Sequence, residues 1–334
     1  MRNIKSILAF FFILCFQATF AQYQVDYLED GFLKRTIHMP DDYKGKVVCT
    51  IIKKSTPEKT DKAVLYIHGF CDYFFNAEFA NYLVSQGYDF YALDLRKYGR
   101  SILDGQNPNN AKNLNEYFAD IDTAIKIIKG EGHTKIHINA HSTGGLIVAR
   151  YAAERTSQNY FQSISLNSPF LDFNNSWFEE NVLVPIVSSI GIVAPKMKLP
   201  KGLSGLYGES IHKNYRGEWD YNLAWKPIIA FRMNAGWLRA INKSHKKVKR
   251  GLKVEEPVLV LFSDKSYYKN TYTDEIKYAD AVLNVDEIRD RAAKIGNNVS
   301  LQQIEGGIHD LSLSRLEVRK TYYKFLAEWL RKME

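Results

Sequence analysis

Ile138-Asn139-Ala140-His141-Ser142-Thr143-Gly144-Gly145 is the stretch that decides the fold of this chain. An apolar, β-favouring run, Lys135 to Asn139, leads into it, and a helical run, Leu146 to Glu154, leads out. A serine at so tight a strand-to-helix corner is pushed above the sheet edge with its hydroxyl exposed. Side chains two positions either side would collide across the turn, and small residues, Ala140 and Gly144, stand there. The same string would also serve an ordinary βα turn with an N-cap serine. Context favours a nucleophile: a strand before, a helix after, and acid and base candidates later in the chain.

The surrounding pattern supplies that context. Phe32–Met39 and Lys46–Lys53 read as a hairpin separated by Pro40-Asp41-Asp42. Strand and helix signals then alternate: strand Ala63–His68, helix Asn76–Gln86, strand Tyr88–Leu93, helix Asn113–Lys129, strand Lys135–Asn139, helix Gly145–Glu154, strand Phe161–Asn167. Such alternation predicts βαβ units and a mostly parallel α/β sheet flanked by helices. The rhythm breaks over residues 168–256, which contain one long helical pattern, Ala235–Val248. It resumes with strand Pro257–Phe262, helix Val285–Ile295, strand Val299–Ile304 and helix Leu316–Arg331. The expected organisation is a core in two parts, 22–167 and 257–334, with 168–256 as a long insertion between them of a length that points to function.

The chain starts Met1-Arg2-Asn3-Ile4-Lys5, runs apolar from Ile7 to Phe16 and continues Ala18-Thr19-Phe20-Ala21. A basic start, a short apolar core and small residues at the cleavage positions read as an export signal over 1–21. The expectation is an exported, periplasmic or secreted protein, with an uncleaved anchor as the alternative. Without Arg2 and Lys5, 43 basic residues face 37 acidic ones, a net +6. The basic residues are dispersed, without interleaved aromatics, so no nucleic-acid partner is expected. Their one cluster is Lys243, Lys246, Lys247, Lys249 and Arg250, on the long helical pattern. It reads as a solvated face in preference to a weak membrane-surface contact. Cys49 and Cys71 read as buried free thiols, and no Cys/His cluster has metal-ligand spacing.

A serine hydroxyl needs a base within hydrogen-bond reach. His309, in Glu305-Gly306-Gly307-Ile308-His309-Asp310, follows the last strand, and the paired glycines allow a turn back over the sheet edge. Two aspartates compete as the third member. Asp264 comes directly after the preceding strand; Asp280 is followed by Ala281-Val282-Leu283 at the entrance to the next helix. Asp280 is preferred, which makes residues 267–279 an insertion ahead of the acid. An oxyanion would take one backbone N–H from Thr143 and a second from Phe70, in His68-Gly69-Phe70-Cys71-Asp72 after the first parallel strand. Phe74, Phe75, Trp177, Phe178, Trp219, Trp225 and Trp237 are candidates for lining an acyl pocket, or for packing the insertion's own core.

With these residues the chain resembles an α/β-hydrolase of the serine aminopeptidase S33 and monoacylglycerol lipase type. The matching pieces are His68-Gly69-Phe70, Asp94-Leu95-Arg96-Lys97-Tyr98-Gly99-Arg100-Ser101, Ala140-His141-Ser142-Thr143-Gly144-Gly145, Asp280-Ala281-Val282-Leu283 and Gly307-Ile308-His309. Family members usually carry D-x-R-G-x-G-x-S at the second piece, and Lys97 here replaces its first glycine. The resemblance implies a serine hydrolase acting without a cofactor on small-molecule acyl esters, of monoacylglycerol, lysophospholipid or smaller type. A peptidase, or a binding protein on a decayed hydrolase fold, are the alternatives.

Overall fold

Apolar runs without polar interruption make parallel strands that are covered on both faces, and the middle of this sheet is built that way. The computed structural model describes residues 22–155, 160–173, 183–199 and 204–334. The expected export signal, Trp177 and Phe178 lie outside them. Nine strands form one sheet in the order β1-β2-β3-β5-β4-β6-β7-β8-β9. They are β1 (Gln24–Val25), β2 (Leu33–Asp42), β3 (Gly45–Lys54), β4 (Lys62–Ile67), β5 (Asp89–Asp94), β6 (Lys135–His141), β7 (Ser163–Asn167), β8 (Val258–Ser263) and β9 (Val299–Ile304). The first three run antiparallel, β3 pairs antiparallel with β5, and the rest are parallel.

The helices between parallel strands are α1 (Ala77–Ser85), α2 (Phe118–Gly130), α3 (Thr143–Arg155) and α7 (Val285–Ala292), with α8 (Leu316–Lys332) closing the chain. Between β7 and β8 lie α4 (Val184–Val193), α5 (Leu206–Ile211) and α6 (Ala235–Arg250). Among the described residues, no strand of the sheet comes from that segment. Helix α6 starts where the Asn234 side chain accepts the Trp237 N–H at 2.8 Å. It buries Trp237, Ile241 and Val248 against the main core. Its basic residues face outward, where Lys247 pairs with Glu154 and Lys249 with Asp172. Among the described residues no helix is long and apolar enough to cross a membrane.

Two expectations change. Pro40-Asp41-Asp42 is strand, not turn: β2 continues to Asp42 and the hairpin turns at Tyr43-Lys44. Proline is tolerated there because the pairing register shifts between Met39 and Asp42, and β1 covers only the start of β2. The predicted helix Asn113–Lys129 opens with a 3-10 turn, Leu114–Tyr117, closed by a capping box between Asn113 and Glu116. Cys49 and Cys71 are buried free thiols.

Lys97 explains its own departure from the glycine pattern. Its φ is +66°, the left-handed region a glycine would take without strain. Its ammonium is buried against Asp42, an ion pair glycine cannot make.

Candidate active site

The parallel strands β4, β6, β8 and β9 deliver their C-terminal ends to one side of the sheet, and the candidate residues gather there. Ser142 sits between β6 and α3 with φ +51°, a left-handed corner for a non-glycine residue. Neighbouring segments of the chain impose it. Ser142 N–H donates to the Asn167 carbonyl, and Phe170 N–H donates to the Ser142 carbonyl, each at 3.0 Å. A Cβ on Gly144 would lie 2.3 Å from the His68 carbonyl oxygen, so only glycine lets α3 approach β4.

The hydroxyl of Ser142 lies 3.0 Å from His309 Nε2. His309 Nδ1 lies 2.9 Å from Asp280 Oδ2. A carboxylate accepts, so Nδ1 carries the proton and Nε2 is left to accept from serine. Asp280 Oδ1 in turn accepts the N–H groups of Val282 and Leu283, both at 2.8 Å. All three side chains are buried. The arrangement suits proton transfer from a serine hydroxyl to an oriented imidazole.

Asp264, the competing acid, points elsewhere. Its Oδ1 accepts the Gly306 N–H at 2.8 Å and braces the histidine loop. Asp280 reaches the site because the loop before it is closed at its base. Asp280 N–H donates to the Lys265 carbonyl at 2.9 Å, and Tyr267 N–H donates to the Asp280 carbonyl at 2.7 Å. Residues 267–279 loop out and return to the strand end, packing Tyr267, Ile276 and Ala279 on each other.

Phe70 and Thr143 line the cavity beside Ser142 and His309. Their N–H groups meet no acceptor among the described residues. His68 shapes the first of them. Leu95 N–H donates to His68 Nε2 at 3.0 Å, so His68 Nδ1–H donates to the Gly69 carbonyl at 2.8 Å. Burial lowers the His68 pKa and keeps the ring neutral. In a trans peptide the carbonyl and the next N–H point opposite ways, so anchoring Gly69 C=O turns Phe70 N–H away from His68.

A cavity of about 600 Å³ opens at Ser142. Much of its lining is apolar, including Phe170, Val187, Leu199, Met233, Trp237 and Leu238. Of the described aromatics named as acyl-pocket candidates, Trp237 lines it; Trp219, Trp225 and Phe75 pack with Tyr73 and Tyr221 instead, and Phe74 is in the core. The polar lining clusters near His309. The His141 ring stands 4.8 Å from it and the Tyr207 ring 5.6 Å. Asp310 N–H donates to the Tyr207 hydroxyl at 3.2 Å. Burial holds the His141 pKa below its ordinary value. Asp72 carries a carboxylate into the lining and meets Lys226 Nζ at 2.6 Å. Burial pushes the Asp72 carboxyl up, but the Lys226 ammonium beside it brings it below the usual carboxylate range. Asp72, Lys226, Tyr207 and His141 were not singled out in the sequence. Asp72 stood four residues after His68 in a quoted string, while Lys226 belongs to no pattern.

A polar ladder supports the site from within the sheet. Register pairs His137 with Ser163, Asn139 with Ser165 and His141 with Asn167. Asn139 Nδ2 donates to Ser165 Oγ at 2.8 Å, and Asn167 Nδ2 donates to Asp310 Oδ1 at 2.8 Å. The strand end carrying Ser142 is thereby tied to the loop carrying His309.

The model of the family described as serine aminopeptidase, S33, matches residues 58–313. The fold is similar to that of the Paleococcus ferrophilus monoacylglycerol lipase, 19% identical with a TM-score of 0.65, over 85% of this chain and 98% of that one. It is similar to a soluble variant of the Saccharomyces cerevisiae monoglyceride lipase in complex with a substrate analogue, 16% identical with a TM-score of 0.65, over 90% and 97% of the two chains. A thermophilic esterase from Thermogutta terrifontis is 16% identical with a TM-score of 0.56, over 90% and 99%. No curated protein matches the chain in sequence.

Proposed function

Because this chain belongs to the serine aminopeptidase S33 family of α/β-hydrolases, we propose that it cleaves carboxylic esters of an apolar acid and a small polar alcohol. The observation that carries this reading is the chain of contacts Ser142–His309–Asp280 opening onto a mostly apolar cavity. Ser142 attacks the acyl carbonyl as His309 Nε2 takes its proton, and Asp280 stabilises the imidazolium. The N–H groups of Phe70 and Thr143 take the oxyanion. His309 then gives its proton to the leaving alcohol, and water releases the acid by the same steps in reverse. The acyl chain occupies the apolar lining, and the alcohol lies among the polar groups near His309. The volume is ordinary for a small-molecule ligand. Monoacylglycerols, lysophospholipids and shorter acyl esters are the substrate class.

An ester is favoured over the amino end of a peptide on charge. Binding a substrate ammonium calls for an unpaired carboxylate, and Asp72, the carboxylate in the described lining, is paired with Lys226. In this reading residues 168–256 form the lid, and residues 1–21 direct export and are removed. Intact-mass measurement on native protein tests the second point: a chain starting at Gln22 supports it, and retained Met1 removes it.

A fluorophosphonate probe and a graded series of p-nitrophenyl esters and monoacylglycerols test the activity. Labelling at Ser142, with turnover lost in Ser142→Ala, supports a serine hydrolase. An unlabelled, folded wild type that binds esters without turnover would mean a binding protein.

A further inference from the structure

One short stretch of the segment between β7 and β8 grips the loop after β4 at three points. Lys226 Nζ donates to Asp72 Oδ1 at 2.6 Å, with the two side chains 10% and 3% exposed. Asn222 N–H donates to the Tyr73 hydroxyl at 2.7 Å. Trp225 meets Tyr73 edge-on, ring centres 5.2 Å apart. The Lys226 ammonium also stands over the rings of Phe75 and Tyr221, at 5.4 and 5.7 Å.

The gripped loop needs holding. Cys71 has φ +52°, left-handed for a residue with a Cβ. Such a conformation persists only where the surroundings over-determine it. It lies directly after Phe70, whose N–H is the donor named above, and directly before Asp72. His68 fixes the peptide on one side of Phe70. Nothing on β4 itself fixes the other side. Asp72 takes its ion pair from Lys226, and Tyr73, whose hydroxyl also accepts from Tyr27 at 3.1 Å, meets Asn222 and Trp225 of the same stretch.

We propose that Lys226 is a positioning residue: by holding Asp72 it aims the Phe70 N–H at the oxyanion formed on attack by Ser142. The inserted segment then completes the reaction centre as well as walling the cavity. This inference rests on the ester-hydrolase reading above.

Lys226→Met alone leaves Asp72 buried and unpaired, and loss of folding would hide the effect. The decisive variant is Lys226→Met with Asp72→Asn, which removes both charges and the clamp together. It is assayed in the full chain on p-nitrophenyl butyrate, with circular dichroism to establish folding and a trifluoromethyl ketone to mimic the oxyanion. Loss of a whole donor lowers kcat by about 10²–10³, so a misaimed one is expected to lower it about tenfold or more. KM should stay within about twofold, because the contact strengthens only in the transition state. Affinity for the trifluoromethyl ketone should fall by the same factor as kcat. Lys226→Arg, which keeps the ion pair, should recover most of the turnover. A folded double variant with wild-type kcat would overturn the proposal, as would a loss confined to KM. If fluorophosphonate fails to label wild-type Ser142, the hydrolase reading falls and takes this inference with it. If it labels, and the double variant is fully active, the inference falls alone.

Discussion

Replacing Asp280 with asparagine exchanges one oxygen for an amide nitrogen and should stop the reaction by reversing a proton. Asp280 Oδ1 accepts two backbone N–H groups, from Val282 and Leu283, both at 2.8 Å. The introduced asparagine can meet them only with its carbonyl oxygen, since an amide NH₂ cannot accept. Its NH₂ is then turned toward His309 Nδ1, where Asp280 Oδ2 stood at 2.9 Å. Nδ1 must accept, so the proton moves to Nε2, which faces Ser142 Oγ at 3.0 Å. A protonated Nε2 cannot take the serine proton. The same change in a serine protease triad lowers kcat about 10⁴-fold, equivalent to about 5 kcal/mol of barrier. All hydrogen bonds remain satisfied in the variant, so folding should be close to wild type. Asp264→Asn is the control. Its Oδ1 still accepts the Gly306 N–H, and turnover should fall by less than about fivefold, the worth of roughly 1 kcal/mol. Steady-state kinetics of both variants on one ester, with KM determined separately, checks the argument. An Asp280→Asn variant within tenfold of wild-type kcat would refute the tautomer reasoning, and a larger loss in Asp264→Asn would make Asp264 the acid.

Acid should unfold the protein through buried histidines. Burial pushes His137 and His245 down to about 4. The unfolded chain takes up those protons near the ordinary 6.5 while the folded chain resists, so stability falls as pH drops from 6.5 toward 4, by about 3 kcal/mol per histidine in full. Urea unfolding at several pH values should show this, and His137→Gln should flatten the dependence by one proton; an unchanged slope rejects it. Lys97→Gly relieves a left-handed φ, worth about 1 kcal/mol, but strands Asp42, a loss of about 3–5 kcal/mol. The variant should therefore be less stable, and adding Asp42→Asn should restore much of the difference; a Tm above wild type in the single variant contradicts the ranking. Leu238→Trp fills part of the cavity lining and should shift preference toward shorter acyl esters; an unchanged chain-length profile places the acyl chain elsewhere.

The sheet, the serine corner and the histidine loop were legible in the sequence because each rests on local rules. Val64, Leu65, Tyr66 and Ile67 make an unbroken apolar run because β4 is covered on both faces. Gly144 reads as a corner residue because the chain permits nothing larger there. The sequence prefers Asp280 to Asp264 only by its neighbours, because the choice depends on a loop closing on itself. Hydrogen bonds between Lys265, Tyr267 and Asp280 bring a residue distant in sequence back to the strand end. The wall of the cavity and the Lys226–Asp72 pair were invisible for a related reason. Lys226 follows no periodicity, and Trp219 and Trp225 look as suitable for a pocket as Trp237 until packing sorts them. Strand patterns repeat every two residues and turns are written in a few adjacent ones. A buried ion pair between residues 154 positions apart exists only once the chain between them has folded.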